Sequence, residues 1–134
     1  MNENKILLVK KVGGPYDGKL DLPGGTIEFL EKPEDTLIRE IKEETKLTIT
    51  DFNLLTVDSI NLSWIHKTKQ ENIKHIFILY KINDYTGKIK EKIKIDNNND
   101  DSKGALFYDV NLLKENELSN IAYYAINFLR GGSY

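Results

Sequence analysis

The sequence contains no cysteine, which excludes disulfides, thiolate metal sites and a thiol nucleophile. It also contains no apolar run that approaches about 18 residues, the length that indicates a membrane-spanning helix. No secretory signal opens the chain, so we expect neither a span nor export. A net charge of −2 argues against broad electrostatic binding to nucleic acid. The lack of cysteine leaves the compartment undetermined by redox chemistry, and a cytoplasmic protein without membrane or nucleic-acid partners fits these absences best.

Size and composition indicate one compact unit. The chain has 134 residues, of which 40% are hydrophobic and 30% charged, as is ordinary for a globular protein. A chain of this length buries most of its apolar surface in a single core. We therefore expect one domain over residues 1–134.

Arginine is scarce, and its position is informative. Of 19 basic residues only Arg39 and Arg130 are arginines, the rest being lysines. Arg39 lies within an acidic stretch, where its planar fork grips a carboxylate in a way that lysine does not reproduce. We expect Arg39 to clamp Glu31 or another nearby acid; direct binding of phosphate is the alternative role.

A helix is predicted from Pro33 onward. Proline suits the first helical position, and the acidic residues 34–35 then suit the positive end of the helix dipole. Three aliphatic residues recur at helical spacing and predict a buried stripe. They are Leu37, Ile38 and Ile41.

Three glutamates of this helix share one face. Glu40, Glu43 and Glu44 fall at i, i+3 and i+4. From Glu28 to Glu44 seven acids meet three bases, a net charge of −4. A solvated acidic helix is the simpler interpretation. The glycine pair at 24–25 and the arginine accompany the acids here, and together they favour a Mg²⁺ site that handles phosphates.

Segment 25–47 resembles the Nudix box of the MutT-like pyrophosphohydrolases. The family pattern is G-x5-E-x7-R-E-U-x-E-E-x-G-U, where U is a bulky aliphatic residue, and one defined position departs from it. Lys46 stands where the family has glycine. A lysine in the left-handed conformation usual there costs about 1 kcal/mol. Leu30 replaces a commonly small residue, and we expect it to narrow the loop beside the metal.

The resemblance implies an α+β fold, a Nudix-like α/β/α sandwich with a mixed central sheet. Only five residues precede Ile6, so we expect the family's N-terminal strand to be missing or supplied by another chain in a homodimer. The implied function is Mg²⁺-dependent hydrolysis of a pyrophosphate bond in a nucleoside diphosphate linked to another group. Mn²⁺ is expected to substitute for Mg²⁺.

The roles of the box residues are also implied by the resemblance. Glu40 and Glu44 are the expected principal metal ligands, and Glu43 is either a third ligand or the proton acceptor for the attacking water. A backbone carbonyl of the Gly24–Gly25 turn is expected to complete the shell. Two further acids, acting partly through Arg39, are expected to orient the loop. They are Glu28 and Glu31.

The remainder of the chain alternates strands and loops and ends in a second helix. Strands are predicted by short apolar or β-branched runs; their ranges are Lys5–Lys11, Leu20–Leu22, Phe52–Leu62, Ile73–Ile82, Lys88–Ile95 and Ala105–Val110. Turn residues predict loops at 13–18 and 97–101. The helix is expected from Ser119, its N-cap, to Arg130. Its core face should contain Ile121, Ala125, Ile126 and Leu129.

Aromatic residues and histidines are weaker candidates. Tyr16, Trp64 and Tyr108 have two open roles, stacking on a nucleobase or packing in the core. The two histidines, His66 and His75, lie nine positions apart, which is not the spacing of a zinc pair on a helix, so packing or surface roles are favoured.

Two acids in a polar loop are further candidates. Asp100 and Asp101 either add an acid to the metal cluster, as the resemblance implies, or belong to a solvated loop.

The substrate is left open by the sequence. The positions 15 and 18 residues after Leu47 are Leu62 and Ile65, so the proline of ADP-ribose hydrolases and the tyrosine of dinucleoside-polyphosphate hydrolases are absent there. Two other functions compete with hydrolysis. One is a catalytically silent domain that senses a nucleotide metabolite, and the other is a scaffold whose acidic helix is only a surface.

Overall fold

The computed structural model describes residues 5–89 and 102–131. The elements in chain order are β1 (Lys5–Lys11), β2 (Leu20–Asp21), α1 (Pro33–Thr45), β3 (Thr48–His66), β4 (Lys69–Thr86), β5 (Ser102–Asp109) and α2 (Asn120–Leu129). Short 3₁₀ turns at Val110–Leu112 and Glu115–Glu117 connect β5 to α2. No helix in these two ranges is long and apolar enough to cross a membrane.

Strand β1 is the centre of a three-stranded sheet with the order β2-β1-β5. Both neighbours pair with it antiparallel, Val9 opposite Asp21 on one side and Ala105 on the other. The predicted strand Lys5–Lys11 is thus confirmed. Within the described residues, the parallel component of the predicted mixed sheet is a single bridge between Leu20 and Leu118.

Strands β3 and β4 form a long antiparallel hairpin. Pairing runs from Thr48 opposite Thr86 to His66 opposite Lys69, further in both directions than the predicted strands. The turn residues Lys67 and Thr68 both have positive φ, 49° and 70°, as a tight two-residue hairpin turn requires. Sequence reasoning ended both strands early because Lys-Thr lacks the Asn or Gly that marks such turns.

Helix α1 begins at Pro33 as predicted, and Asp35 accepts from the backbone N–H of Lys32 at 3.1 Å. The predicted stripe was wrong for one residue. Ile41 is buried and Leu37 packs against it, whereas Ile38 is 37% exposed. Ile38 is not part of the cluster in which Ile41 and Leu37 pack.

Helix α2 is capped as predicted. The Oγ of Ser119 accepts from the backbone N–H of Ala122 at 3.0 Å and donates to Asp21 Oδ1 at 2.6 Å, so the cap ties the helix to β2. The predicted core residues Ile121, Ala125 and Ile126 are buried, joined by Ala122, while Leu129 is half-buried.

The sheet lies between the two helices because the residues of β1 alternate in direction. Leu7 packs with Ile41 of α1. Ile6 and Leu8 pack in another cluster that includes Ala122 of α2. This arrangement, with the similarity to solved structures given below, confirms the predicted α+β fold.

Some predictions fall outside the described residues. The strand expected at Lys88–Ile95 has only Lys88 and Ile89 within them, and these two are not in a strand. The loop expected at 97–101, with Asp100 and Asp101, lies wholly outside them.

Candidate active site

Two glycines bring the loop after β2 against the acidic face of α1. The N–H of Gly24 donates to Glu44 Oε1 at 3.1 Å. A Cβ placed on Gly25 would overlap the carboxyl group of Glu40. The backbone therefore approaches both carboxylates closely, and at Gly25 a glycine is required for that approach.

Arg39 is the centre of an ion-pair network. Its Nε and Nη2 donate to the two oxygens of Glu31 at 2.6 and 2.9 Å, in the bidentate arrangement that the sequence predicted. Its Nη1 donates to Glu40 Oε1 at 2.7 Å and reaches Glu43 Oε2 at 3.4 Å. Nη2 lies 3.8 Å from Glu28 Oε1. A single guanidinium thus links two glutamates of the loop, Glu28 and Glu31, to two of α1, Glu40 and Glu43.

Glu31 is the anchor of this loop. Besides Arg39, it accepts from the backbone N–H of Glu28 at 3.0 Å and from Thr36 Oγ1 at 2.9 Å, and its side chain is only 17% exposed. The hydrogen bonds from Arg39, followed by those from the backbone, lower its pKa to about 2. Glu31 is therefore ionised at neutral pH and fully occupied by protein donors, which suits positioning.

Glu44 has the opposite environment. The pKa of its carboxyl group is raised to about 7, chiefly by burial and to a smaller extent by the neighbouring Glu40, while Lys11 and the N–H of Gly24 oppose the rise. Oε2 of Glu44 is buried and has no hydrogen-bond partner among the described residues. A buried carboxylate oxygen with a free lone pair costs free energy unless a cation or donor occupies it.

The predicted three-carboxylate cluster is only partly formed. Glu40 and Glu44 are within hydrogen-bonding range of each other. The side chain of Glu43 is 58% exposed and is directed to Arg39. Among the residues that the structure describes, no three His, Asp or Glu side chains are grouped so that they could hold a metal ion. The participation of Glu43 stays a prediction.

The donors present fit a hard divalent cation. Carboxylate and carbonyl oxygens are what Mg²⁺ prefers, and the unpartnered Oε2 of Glu44 offers one such ligand beside Glu40. No cysteine or histidine is among the groups described above, so the site has no preference for a soft metal.

The two residues that are unusual for the family, Lys46 and Leu30, agree with the expectations to different degrees. Lys46 adopts the left-handed conformation (φ 66°, ψ 10°), and its N–H closes the helix on the carbonyl of Lys42, so the glycine-like cap is kept. Leu30 also has a positive φ of 74°. Its side chain is 90% exposed, so the expectation that it narrows the loop was wrong.

The aromatic candidates occupy other parts of the fold. Tyr16 stacks on His75 and its hydroxyl lies 3.0 Å from His75 Nδ1, while burial, and then Asp21, raises the pKa of Tyr16 to about 12. Trp64 packs on His66 near the hairpin turn. These contacts agree with the packing roles expected of the histidines.

Tyr108 pairs with Ile6 and packs against the cluster beside α2. The hydrogen bonds and ring contacts of the described residues do not join it, Tyr16 or Trp64 to the carboxylates of α1. A base-stacking role for the three aromatics stays a prediction.

Sequence reasoning missed Lys11. Among the basic residues, its charge has the largest effect on the Glu44 carboxyl. The signal available was that Leu7, Val9 and Lys11 lie on the same face of a strand. Using this signal required knowing which face of the strand α1 covers.

Comparison with known proteins agrees with this geometry. The NUDIX domain profile matches residues 1–127. An ADP-ribose pyrophosphatase from Methanocaldococcus jannaschii is 39% identical over 111 residues, which are 83% of this chain and 58% of that protein. An 8-oxo-dGTP diphosphatase from Escherichia coli is 36% identical over 52 residues, 38% of this chain and 40% of that protein. The chain thus aligns with about half the length of these relatives.

The fold has a counterpart among solved structures. A MutT NUDIX hydrolase from Burkholderia pseudomallei superposes with a TM-score of 0.70, at 23% identity, over 95% of this chain and 89% of that one. The fold is therefore shared at low sequence identity. From the profile match over nearly its whole length, the chain belongs to the NUDIX domain family.

Proposed function

We propose that this chain hydrolyses a pyrophosphate bond in a nucleoside diphosphate linked to another group, with Mg²⁺ as the cofactor and Mn²⁺ as a substitute. The observation that carries the proposal is Glu44. It is a half-buried carboxyl whose Oε2 has no hydrogen-bond partner within residues 5–89 and 102–131, and it lies beside Glu40 and the backbone of Gly24. A binding surface without metal has no use for such an uncompensated acid.

Hydrolysis of this bond depends on charge and position more than on covalent chemistry. Water must attack a phosphorus surrounded by negative oxygens. Mg²⁺, when bound, neutralises charge on the phosphates and lowers the pKa of a coordinated water. Glu40 and Glu44 would hold the ion, together with a backbone carbonyl of the Gly24–Gly25 turn. Glu43, largely exposed and paired with Arg39 only at 3.4 Å, would serve as third ligand or accept the proton of the attacking water.

Arg39 would act as a positioning residue. Its bidentate bond to Glu31 fixes the loop, and its Nη1 fixes the carboxyl of Glu40. Thr26 also contributes a carbonyl that accepts from Nη2 at 3.3 Å. Since these contacts use the fork fully, Arg39 has little capacity left for substrate phosphate.

For the substrate we propose a nucleoside diphosphate derivative, with ADP-ribose the first to test because of the 39% identical relative. Leu62 weighs against ADP-ribose, since the proline of ADP-ribose hydrolases is absent there, and Ile65 weighs against a dinucleoside polyphosphate, since the tyrosine of those hydrolases is absent. Both lie in the outer part of the hairpin, opposite Ile73 and Gln70. A nucleoside triphosphate is the competing class, in keeping with the relative named 8-oxo-dGTP diphosphatase.

One observation favours a second candidate, a domain that senses a nucleotide metabolite without turnover. The described residues contain no preformed group of three metal-binding side chains. A sensor would bind the same ligands and release no product.

The test is a panel of ADP-ribose, dGTP and a UDP-sugar, each incubated with Mg²⁺ or with EDTA, with the products identified by mass. We expect metal-dependent cleavage between two phosphorus atoms, and its loss in Glu44→Gln. Binding of one panel member without any product would support the sensor. Neither binding nor turnover would leave the acidic helix as a scaffold surface.

Three further properties belong to the proposal. They are a single domain over residues 1–134, a cytoplasmic location and a homodimer that completes an open sheet edge. Solution mass tests the last, and a monomer with a complete family sheet built from its own residues would contradict it.

A further inference from the structure

The direction of Lys11 follows from the alternation of β1. Leu7 packs on the cluster that contains Ile41 of α1, so the side chains at every second position point to that helix. Lys11 is the last residue of this set. Lys10, its neighbour, is exposed and belongs to the opposite set.

A bulge beside Lys11 does not disturb this alternation. Val9 lies opposite Ala105, whereas Lys11 lies opposite Ser102, so the extra residue is on β5. Gly104 takes up the bulge with a φ of 89°. Bulges of this kind occur next to active sites, where they redirect or end a strand.

The backbone of Lys11 is held on its other side by the loop that precedes β2. Its N–H donates to the carbonyl of Lys19 and its carbonyl accepts from the N–H of Gly18, each at 2.9 Å. Lys11 is therefore fixed between two neighbours on the central strand, and its half-buried side chain starts from a rigid position.

Among the residues that the structure describes, its ammonium group has no direct ion-pair partner. The ion pairs within 4.0 Å between described residues all belong to Arg39. Yet the charge of Lys11 acts on Glu44, lowering the pKa of that carboxyl. The ammonium is thus near the acidic site, beyond ion-pair contact, with its donors available to an anion.

We propose that Lys11 binds a phosphate oxygen of the substrate beside Glu44. This proposal rests on the proposed function and adds a residue to it. The charge of one divalent cation held by Glu40 and Glu44 is already offset by these two carboxylates, so the negative phosphates of the substrate need a further cation, and an ammonium beside the carboxylates is suitable. Lysine binds phosphate as a compact point charge with rotatable donors.

The test uses methylenediphosphonate, a pyrophosphate analogue that is not hydrolysed, titrated calorimetrically at saturating Mg²⁺. Lys11→Gln should weaken its binding by about tenfold or more, since a charge-assisted hydrogen bond is lost. Lys11→Arg should stay within about threefold of wild type because charge and donors are kept. Lys10→Gln is the matched control, with the same chemistry on the opposite face, and should bind as wild type does.

A purely structural role for Lys11 gives a different result. If the ammonium only offsets Glu44, Lys11→Gln should lower the melting temperature and leave the analogue's dissociation constant unchanged, which would overturn the proposal. Should Lys11→Gln fail to fold, Lys11→Met, which keeps the aliphatic stem, gives the same comparison.

Kinetics separate this proposal from the function on which it rests. With a substrate that is turned over, Lys11→Gln should raise KM and change kcat little, as expected for a phosphate held equally in ground and transition states. Turnover by wild type with equal KM in the Lys11 and Lys10 variants would overturn the role of Lys11 alone. Lys11-dependent binding of the analogue in a protein that hydrolyses nothing would support Lys11 and overturn the hydrolase.

Discussion

Replacing Glu44 by glutamine should stabilise the metal-free protein at neutral and alkaline pH. The carboxyl is half-buried, its Oε2 has no hydrogen-bond partner in the part of the chain that the structure describes, and a second acid, Glu40, lies beside it. Ionising it therefore costs free energy that the fold must absorb. Glutamine keeps the size of the side chain and an acceptor for the N–H of Gly24, and it removes the charge.

The magnitude follows from the pKa of Glu44. Burial raises it from 4.5 to about 7, and each unit corresponds to about 1.4 kcal/mol, which gives an upper limit of roughly 3 kcal/mol. Partial exposure screens the charge, so we expect about 1–2 kcal/mol. Below pH 4.5 the carboxyl is protonated in both folded and unfolded states. The advantage of the variant should therefore grow between pH 4.5 and 7 and stay constant above.

Urea unfolding in EDTA at pH 4.5 and pH 8 measures this difference. Glu43→Gln is the control, because its side chain is largely exposed and should change stability little. Added Mg²⁺ should then raise the melting temperature of wild type more than that of Glu44→Gln. A Glu44→Gln protein that is no more stable than wild type at pH 8 in EDTA would refute the argument.

Three further substitutions test the surrounding contacts. Arg39→Lys keeps the charge and loses the bidentate bond to Glu31, so turnover should fall at least about tenfold with the fold retained; wild-type turnover would contradict this. Gly25→Ala should displace the carboxyl of Glu40 and reduce Mg²⁺-induced stabilisation in thermal melts, and an unchanged Mg²⁺ effect would show that the loop adapts. Lys46→Gly should raise the free energy of unfolding by about 0.5–1 kcal/mol, because glycine adopts the left-handed conformation without strain. Lys46→Ala, measured by the same urea titration, should not raise it. Equal stabilities of the two variants would contradict this explanation.

Much of α1 and its loop was predictable because the determining signals are local. Pro33 fixes the helix start, and the spacing of the glutamates fixes their common face. The bond between Arg39 and Glu31 was predictable from the chemistry of arginine and its rarity in this chain. The exposure of Ile38 was not predictable, because whether a residue at the edge of an apolar stripe is covered depends on the width of the sheet that packs against the helix.

Features that depend on register were not predictable from the sequence. The hairpin extends to Lys67 because a backbone with positive φ is accepted at a lysine there, contrary to local preference. Lys11 meets the site only through the pairing of β1 with β5 and the packing of Leu7 on α1. The strand pairing and the packing of Leu7 both join residues that are far apart in sequence, and local sequence patterns do not encode such contacts.

The ion pairs of Arg39 explain how the metal-free fold tolerates so many acids. An arginine stays protonated at all relevant pH values, so its contacts with Glu28, Glu31, Glu40 and Glu43 persist without a metal. Glu44 is outside that set, and the positive charge of Lys11 acts on it from beyond ion-pair distance. A hard cation therefore gains most at Glu44, where its binding would neutralise a carboxylate that the protein's own cations leave unpaired.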